Sequence, residues 1–263
     1  MMKIKISLLL VAALVSFQVQ AKIVGKEISY RQGDTEMKGY VAYDDSIRGK
    51  RPGVLVVHEW WGHNAYSRQR ADMLAKLGYT ALAVDMYGDG KQADHPSDAG
   101  KFAKAVAGNM PVAKARFEAA LKTLKSQPTV DAEQVAAIGY CFGGGVVLNM
   151  ARQGVDLQGV ASFHGSLGTS QPAQKGDVKA AIRVFTGAED PMVNAEQVAA
   201  FEKEMSAAKV DYELVSYPGA KHAFTNPDAT ALGQKFNLPL AYDAKADADS
   251  WQKMQAFFKQ LFK

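Results

Sequence analysis

Eight short apolar segments, separated by segments with helical spacing, restrict the fold of this chain more than any other feature. They are KEISY (26–30), MKGYVAYD (37–44), PGVLVVHE (52–59), YTALAVDMYG (79–88), EQVAAIGY (133–140), LQGVASFHG (157–165), AAIRVFTG (180–187) and DYELVSYPG (211–219). The first two predict an antiparallel hairpin, and the other six predict buried strands. Strands that alternate with helices favour a mainly parallel sheet with helices on both faces, so we predict the α/β class.

Three of the helices can be placed by their first residues. Asn109 and Asn194 are predicted N-cap residues, and an apolar stripe from Ser250 onwards predicts the last helix. Two segments without a clear pattern, 88–109 and 223–249, are predicted to be long loops. Long loops beside strand ends often shape a binding site.

The length and charge of the chain limit its functional class. Its 263 residues, 48% of them hydrophobic, are enough for one sizeable core, so we expect a single domain over 22–263. The formal net charge is +4, and it falls to +2 without the two lysines of the first 21 residues. A balance of this kind predicts neither a nucleic-acid nor a membrane-surface partner. The expected partner is a small-molecule substrate, and the oligomeric state is left open.

The first 21 residues have the composition of a secretory signal peptide. Lys3 and Lys5 precede an apolar run over 6–17, and Val19 and Ala21 bracket a cleavage site. The run is shorter than the ~20 residues of a membrane-spanning helix, and retention as a signal anchor is the alternative. We therefore expect a periplasmic or secreted protein with no membrane association after cleavage.

The only cysteine, Cys141, lies between a predicted strand and a predicted helix. In GYCFGGG, Gly139 and Gly143 lie two residues to either side of it, which gives the pattern G-x-C-x-G. This is a nucleophile elbow with sulfur in place of oxygen, as in the α/β-hydrolase fold, and its helix N-terminus favours a thiolate. An inert buried thiol is the alternative for a lone cysteine. A phosphate-binding loop is excluded because valines follow Gly145.

A base and an acid follow Cys141 in the order that this fold uses. Asp190 comes after the strand that ends at Gly187, and His222 follows the strand that ends at Tyr217. A triad of Cys141, His222 and Asp190 is therefore predicted. A turn acid and a solvated loop histidine are the alternatives for Asp190 and His222 taken singly.

Further site residues are predicted around this triad. The backbone N–H groups of Trp60 and Phe142 are the candidates for an oxyanion hole. Trp61, Tyr87 and His164 are candidates for the pocket wall. A structural histidine with bonded ring nitrogens is the alternative for His164.

A zinc site is not favoured by the histidines of the same loop. His58 and His63 are five residues apart and follow a strand, whereas the zinc-protease motif places two histidines four residues apart on a helix. No metal and no cofactor is implied.

The motifs HEWWGHN, GYCFGGG, GAEDPMV and KHAF occur in the order found in the dienelactone hydrolases, which the chain resembles over nearly its whole mature length. The resemblance implies an α/β-hydrolase fold with Cys141, Asp190 and His222 as the triad. It also implies that Glu59 is a further carboxylate, which contacts the nucleophile in the resting enzyme. A carboxylate near the sulfur would oppose a second negative charge and keep the thiol protonated. A strand-end acid bonded to backbone N–H groups is the alternative for Glu59.

The chain departs from that family at the two arginines that bind a substrate carboxylate. One expected position holds Asn226, and the segment 85–96 has no arginine, although Lys91 lies within it. We expect hydrolysis of a small ester or lactone through an acyl-cysteine intermediate. A thioester or another neutral ester is the alternative substrate. A non-catalytic binding protein and a redox sensor are the alternatives from other functional classes.

Overall fold

Eight strands and seven helices follow one another along residues 22–263, the part of the chain that the computed structural model describes. The predicted signal peptide, 1–21, lies outside this range. The strands are β1 (Ile23–Gln32), β2 (Thr35–Asp44), β3 (Arg51–Val57), β4 (Thr80–Val84), β5 (Val130–Tyr140), β6 (Gly159–Phe163), β7 (Ala181–Gly187) and β8 (Tyr212–Tyr217). The helices are α1 (Ala65–Lys76), α2 (Pro96–Ala107), α3 (Met110–Lys125), α4 (Phe142–Arg152), α5 (Ala195–Ala208), α6 (Ala229–Phe236) and α7 (Ala244–Leu261).

All eight strands belong to one sheet, in the order β1-β2-β4-β3-β5-β6-β7-β8. β1 and β2 form an antiparallel hairpin, and β2 also pairs antiparallel with β4. The other pairs of neighbouring strands, in the order β4-β3-β5-β6-β7-β8, are parallel. This arrangement confirms the predicted α/β-hydrolase fold and its opening hairpin.

The central strands bury both faces, because successive side chains of a strand point to opposite sides of the sheet. Leu55 of β3 packs in the core that contains Phe117 of α3. Val54, its neighbour in the chain, packs in the other core with Leu74 of α1. All four side chains are fully buried, and each contributes about 1.5–3 kcal/mol relative to an exposed position. The continuous apolar runs of the sequence reflect this two-sided burial.

Both predicted N-caps are confirmed. The Asn109 side chain accepts a hydrogen bond from the backbone N–H of Val112 at 3.3 Å. Asn194 accepts one from the backbone N–H of Gln197 at 3.0 Å, and the Gln197 side chain accepts one from the N–H of Asn194 at 3.2 Å. The reciprocal pair is a capping box and fixes the start of α5.

The two segments predicted as long loops each contain a helix. α2 lies within 88–109; its apolar residues Ala99, Phe102, Ala103 and Val106 have helical spacing that the prediction overlooked, although only Ala99 and Val106 are fully buried. α6 lies within 223–249 and has only eight residues. The prediction of structureless loops is therefore wrong, although both segments do reach the cavities described below.

The last helix and the last strand also differ from the prediction. α7 begins at Ala244 instead of Ser250, because the Asp243 side chain caps it and its first turns bury little besides Ala246. β8 is half-buried rather than buried, since it lies at the edge of the sheet. Among the helices of residues 22–263, none has the length and apolar character needed to cross a bilayer.

Candidate active site

The backbone of Cys141 is held in a conformation that L residues rarely adopt, with φ 51° and ψ −115°. It lies between the end of β5 and the start of α4. A Cβ atom at Gly139 would collide with the carbonyl of Gly143, and one at Gly143 would collide with the carbonyl of Val57. Glycine at these two positions is therefore what allows the chain to turn sharply at Cys141.

The Cys141 backbone N–H is bonded from two directions. It donates to the carbonyl oxygen of Phe163 in β6 at 3.0 Å and to Nδ1 of His164 at 3.1 Å. The other ring nitrogen of His164, Nε2, lies 2.7 Å from Oγ1 of Thr225. Burial lowers the pKa of His164 well below its usual value. The ring is therefore neutral, with Nδ1 as the acceptor and Nε2 as the donor to Thr225.

A buried cation holds the far end of this network. The Thr225 hydroxyl lies 2.6 Å from the Tyr66 hydroxyl, and Nη2 of Arg70 donates to the Thr225 carbonyl at 2.6 Å. Arg70 also binds Asp247 of α7 at 2.7 Å. The backbone of Cys141 is thus linked through side chains to α1, to α7 and to the loop that carries His222.

His222 and Asp190 form a buried hydrogen-bonded pair. Nδ1 of His222 donates to Oδ2 of Asp190 at 2.7 Å, and both side chains are almost fully buried. Burial opposes a charge on the His222 ring, but its electrostatic interaction with Cys141 and its hydrogen bond to Asp190 outweigh burial and raise the pKa of His222 to about 10. Nε2 of His222 has no hydrogen-bond partner within residues 22–263, and the ring lines the same cavities as Cys141.

Glu59 is buried beside these residues, and its hydrogen bond goes to Asn226. Nδ2 of Asn226 donates to Oε2 of Glu59 at 2.7 Å. Burial raises the pKa of the Glu59 carboxyl to about 7, although the Asn226 bond lowers it in part. Glu59 lines a small cavity together with Cys141 and His222, but in the described chain it makes no hydrogen bond to the thiol. The expected contact with the nucleophile is thus replaced by the bond to Asn226.

Two backbone N–H groups are free at the mouth of the elbow. Phe142 is the first residue of α4, where N–H groups lack partners within the helix. Neither its N–H nor that of Trp60 donates a hydrogen bond within the part of the chain that the structure describes. Both residues line the cavity that contains Cys141. They occupy the positions expected of oxyanion donors.

The main cavity has a volume of about 450 Å³ and is mostly apolar. Its walls come from α2, α3, α4 and the loops after β3, β6, β7 and β8; they include Trp60, Ala107, Met110, Cys141, Phe142, Val146, Asn149, Ser166, Thr169, Met192 and His222. A second cavity of about 50 Å³ adjoins it and is lined by Glu59, Trp60, Trp61, Cys141, Met192, His222, Ala223 and Leu240.

The three predicted pocket residues have different positions. Trp61 lines the small cavity. Tyr87 lines neither cavity: its hydroxyl donates to the Trp60 carbonyl at 2.9 Å, and its ring packs against Phe142. His164 is fully buried and lines neither cavity, so its assignment to the pocket wall is wrong. It corresponds to the alternative, a structural histidine with both ring nitrogens bonded.

No lysine or arginine of residues 22–263 lines either cavity. Lys91, which the sequence offers in place of the missing arginine, forms an exposed pair with Asp89 at 3.0 Å. Asn226, at the other arginine position, lines a separate polar cavity of about 620 Å³. Apart from Glu59, His222 and Cys141 itself, the walls that the described residues form around both cavities carry no ionisable side chain.

His58 is not available to a metal. Its Nδ1 lies 2.5 Å from the Glu59 carbonyl oxygen, and its Nε2 accepts from the N–H of Met86 at 3.2 Å. Burial lowers the pKa of His58 to about 4, so the ring is neutral. Across the described residues, no three His, Cys, Asp or Glu side chains are grouped in a way that would hold a metal ion.

Comparisons with known proteins identify the family of the chain. The model of the dienelactone hydrolase family matches residues 37–262. The chain is 35% identical to a dienelactone hydrolase-like promiscuous phosphotriesterase from metagenomic libraries, with a TM-score of 0.86 over 93% of this chain and 100% of that one. It is 31% identical to a Bradyrhizobium protein named "probable 2-oxo-3-(5-oxofuran-2-ylidene)propanoate lactonase", over 68% of this chain and 75% of that protein.

The buried carboxyl of Glu59 generates a prediction for the reactivity of the thiol. In Glu59→Gln, we expect Cys141 to be alkylated faster by iodoacetamide above about pH 8 and at an unchanged rate below about pH 6, because only the ionised carboxylate opposes a thiolate. The rates are measured by mass spectrometry across this pH range. A ratio of variant to wild-type rates that does not change with pH would contradict this role.

The two bonds of His164 generate a second prediction. His164→Leu removes the acceptor for Cys141 N–H and the donor to Thr225, so we expect the free energy of unfolding to fall by about 1–3 kcal/mol. His164→Asn, whose side-chain oxygen can replace Nδ1, should recover part of this loss. Urea unfolding of the three proteins measures the effect. Equal stability of the leucine variant and wild type would show that the bonds contribute nothing.

Proposed function

Because the chain belongs to the dienelactone hydrolase family, we propose that it hydrolyses a small neutral ester or lactone through an acyl-cysteine intermediate. Members of this family act on esters and lactones, and this chain is a hydrolase of that class. The observation that carries the mechanism is the position of His222. One ring nitrogen binds Asp190 at 2.7 Å, and the other is unpaired beside the cavity that Cys141 lines.

In the first half of the proposed reaction, the Cys141 sulfur attacks the carbonyl carbon of the ester. His222 takes the thiol proton, and the N–H groups of Trp60 and Phe142 donate to the negative oxygen that forms. The tetrahedral intermediate then breaks its carbon–oxygen bond, and His222 gives the proton to the departing alcohol. The products of this half are the alcohol and an acyl group bound to sulfur.

In the second half, water replaces the sulfur. His222 takes a proton from a water molecule, whose oxygen attacks the thioester carbon, and the same two N–H groups hold the oxyanion. The carbon–sulfur bond breaks, the acid leaves and Cys141 recovers its proton from His222. Asp190 keeps Nδ1 of His222 protonated, so that Nε2 performs both transfers.

Glu59 regulates the charge of the sulfur in this proposal. Protonated His222 stabilises the Cys141 thiolate, whereas an ionised Glu59 in the same small cavity opposes it. With its pKa raised to about 7, Glu59 changes charge close to neutral pH. A thiol that is less ionised at rest is also less open to oxidation. This protection suits the proposed location of the mature chain, from residue 22, in the periplasm or outside the cell.

The absence of lysine and arginine from the walls that residues 22–263 form around both cavities supports a neutral substrate. A carboxylate placed in a partly desolvated cavity needs a paired cation, and without one the transfer costs several kcal/mol. Thioesters and simple carboxylic esters satisfy this condition as well as lactones do. A non-catalytic binding protein is opposed by the presence of Cys141 and His222 in one cavity wall and by the bond between His222 and Asp190.

Neutral phosphotriesters are a second candidate substrate class. The relative with 35% identity is named as a promiscuous phosphotriesterase, and a phosphotriester shares the lack of charge that the cavity favours. Its phosphoryl oxygen would gain negative charge on attack and would meet the same N–H groups. Turnover of paraoxon by wild type and its absence in Cys141→Ala would support this second activity.

We expect Cys141→Ala to abolish ester turnover and His222→Ala and Asp190→Asn to lower kcat by about a hundredfold or more. The three residues act as nucleophile, base and orienting acid, so each loss removes a step of the reaction. Turnover is measured with activated esters, and the mass of the wild-type protein in the stopped mixture should show an acyl adduct on Cys141. Full activity of Cys141→Ala would contradict the proposed mechanism.

We expect a neutral methyl ester of an enol lactone to match or exceed its free carboxylate in kcat/KM, with little dependence on salt. A preference for the anion of about tenfold, or about 1.4 kcal/mol, would contradict the neutral-substrate proposal. Ala107 lies on the cavity wall, so Ala107→Arg should shift the preference towards the anion. Ala107→Gln adds a side chain without charge and serves as the control.

A further inference from the structure

Met192 is a large apolar side chain that is 41% exposed and lies directly at the reaction site. It lines the main cavity and the small cavity together with Trp60, Cys141 and His222. The other large hydrophobic side chains exposed to a similar degree in residues 22–263, such as Ile47, line neither cavity. A single exposed apolar side chain is ordinary on a protein surface, but this one lines a cavity with the nucleophile and the base of the proposed reaction.

The position of Met192 is fixed through its backbone. Its N–H donates to Oδ1 of Asp190 at 2.8 Å, while Oδ2 of the same carboxylate accepts from His222. The residue lies in the short turn between β7 and α5, whose start is held by the Asn194 capping box. Met192 therefore projects from an anchored segment and lines both cavities.

The two cavities that meet at Met192 differ about ninefold in volume, at about 450 Å³ and about 50 Å³. A buried water occupies roughly 10–15 Å³ on this measure, so the small cavity holds about three to five atoms of that size. The large cavity falls within the ~300–1,000 Å³ range of sites for drug-sized ligands. Cys141 lines both, so a carbonyl carbon on the sulfur would have one substituent directed towards each.

We propose that Met192 is a specificity-determining residue that divides the substrate site, so that the enzyme takes esters with one bulky uncharged half and one small half. The small half corresponds in size to a methyl or ethyl group. This inference rests on the proposed function and adds to it the shape of the substrate. It assigns to Met192 the steric role of keeping a second bulky group out of the small cavity.

Four neutral esters test the division. Methyl acetate has two small halves, methyl hydrocinnamate and phenethyl acetate each have one bulky half, and phenethyl hydrocinnamate has two. We expect kcat/KM to be highest for one of the two mixed esters and at least about tenfold lower for the ester with two bulky halves. If that ester is hydrolysed within about twofold of the best mixed ester, the division does not exist.

The variant Met192→Ala removes the dividing side chain. We expect it to raise the ratio of kcat/KM for phenethyl hydrocinnamate to that for methyl acetate by about tenfold or more. Ile47→Ala, which truncates a side chain of similar exposure outside both cavities, should leave the ratio unchanged. The exposure of Met192 makes a folding defect unexpected, and urea unfolding of both variants checks this point. An unchanged ratio in folded Met192→Ala would overturn the assignment.

Alkylation of Cys141 tests the division without turnover. N-benzyl iodoacetamide is bulky on one side of its reacting carbon, and N-benzyl α-iodo-β-phenylpropanamide is bulky on both. With each rate normalised to that of free cysteine, we expect the second reagent to be slow on wild type and faster on Met192→Ala. Equal normalised rates of both reagents on wild type would refute the division. The same experiment distinguishes the division of the site from the proposed function. If Cys141 is alkylated selectively but the protein hydrolyses no ester, only the proposed function is contradicted.

Discussion

The positive φ of Cys141 is the constraint on which the rest of this structure depends. A non-glycine residue in that region costs about 1–3 kcal/mol, and it persists only where its surroundings leave no other choice. Here His58, the residue after β3, provides the carbonyl that accepts the Gly143 N–H, and β6 provides the Phe163 carbonyl that accepts the Cys141 N–H. The parallel sheet thus supplies the bonds that hold the sulfur above its edge. The strained conformation is therefore held by bonds at the ends of β3 and β6, the strands on either side of β5, and not by the turn alone.

The two histidines nearest the sulfur have opposite electrostatic environments, although their rings are only 5.3 Å apart. His164 lacks an acidic partner, so burial and the nearby charge of His222 keep it neutral and lower its pKa. His222 has Asp190 and Cys141 as partners, which raise its pKa. One ring is therefore a permanent acceptor for the backbone, and the other is the ring that exchanges protons. The pKa values of the two rings differ because His222 binds a carboxylate, that of Asp190, and His164 binds none.

The sequence was sufficient for features that depend on local pattern. Buried runs predicted the strands, the asparagine caps predicted the starts of α3 and α5, and strand ends predicted that Asp190 and His222 would lie close together. The prediction overlooked the helical spacing of α2, and the sequence was insufficient where partners are distant in the chain. Glu59 and Asn226 are 167 residues apart, and His164 and Thr225 are 61 apart, so no local signal indicates either bond. Met192 was also missed. Only the cavity walls show that this exposed side chain, two residues after Asp190, lines a cavity with Cys141 and His222.

The anchoring of Met192 by its amide rather than by its side chain has an evolutionary consequence. Asp190 needs only an N–H group at that position, which every residue except proline supplies. Substitution there leaves the bond between Asp190 and His222 in place. A mutation of this one codon can therefore change the substrate range without removing the base or the acid of the proposed reaction. Trp61, Asp190 and His222 lack this freedom, because their side chains are buried and the last two are bonded to each other. Divergence among close relatives of this protein should therefore concentrate at this position rather than at its buried neighbours.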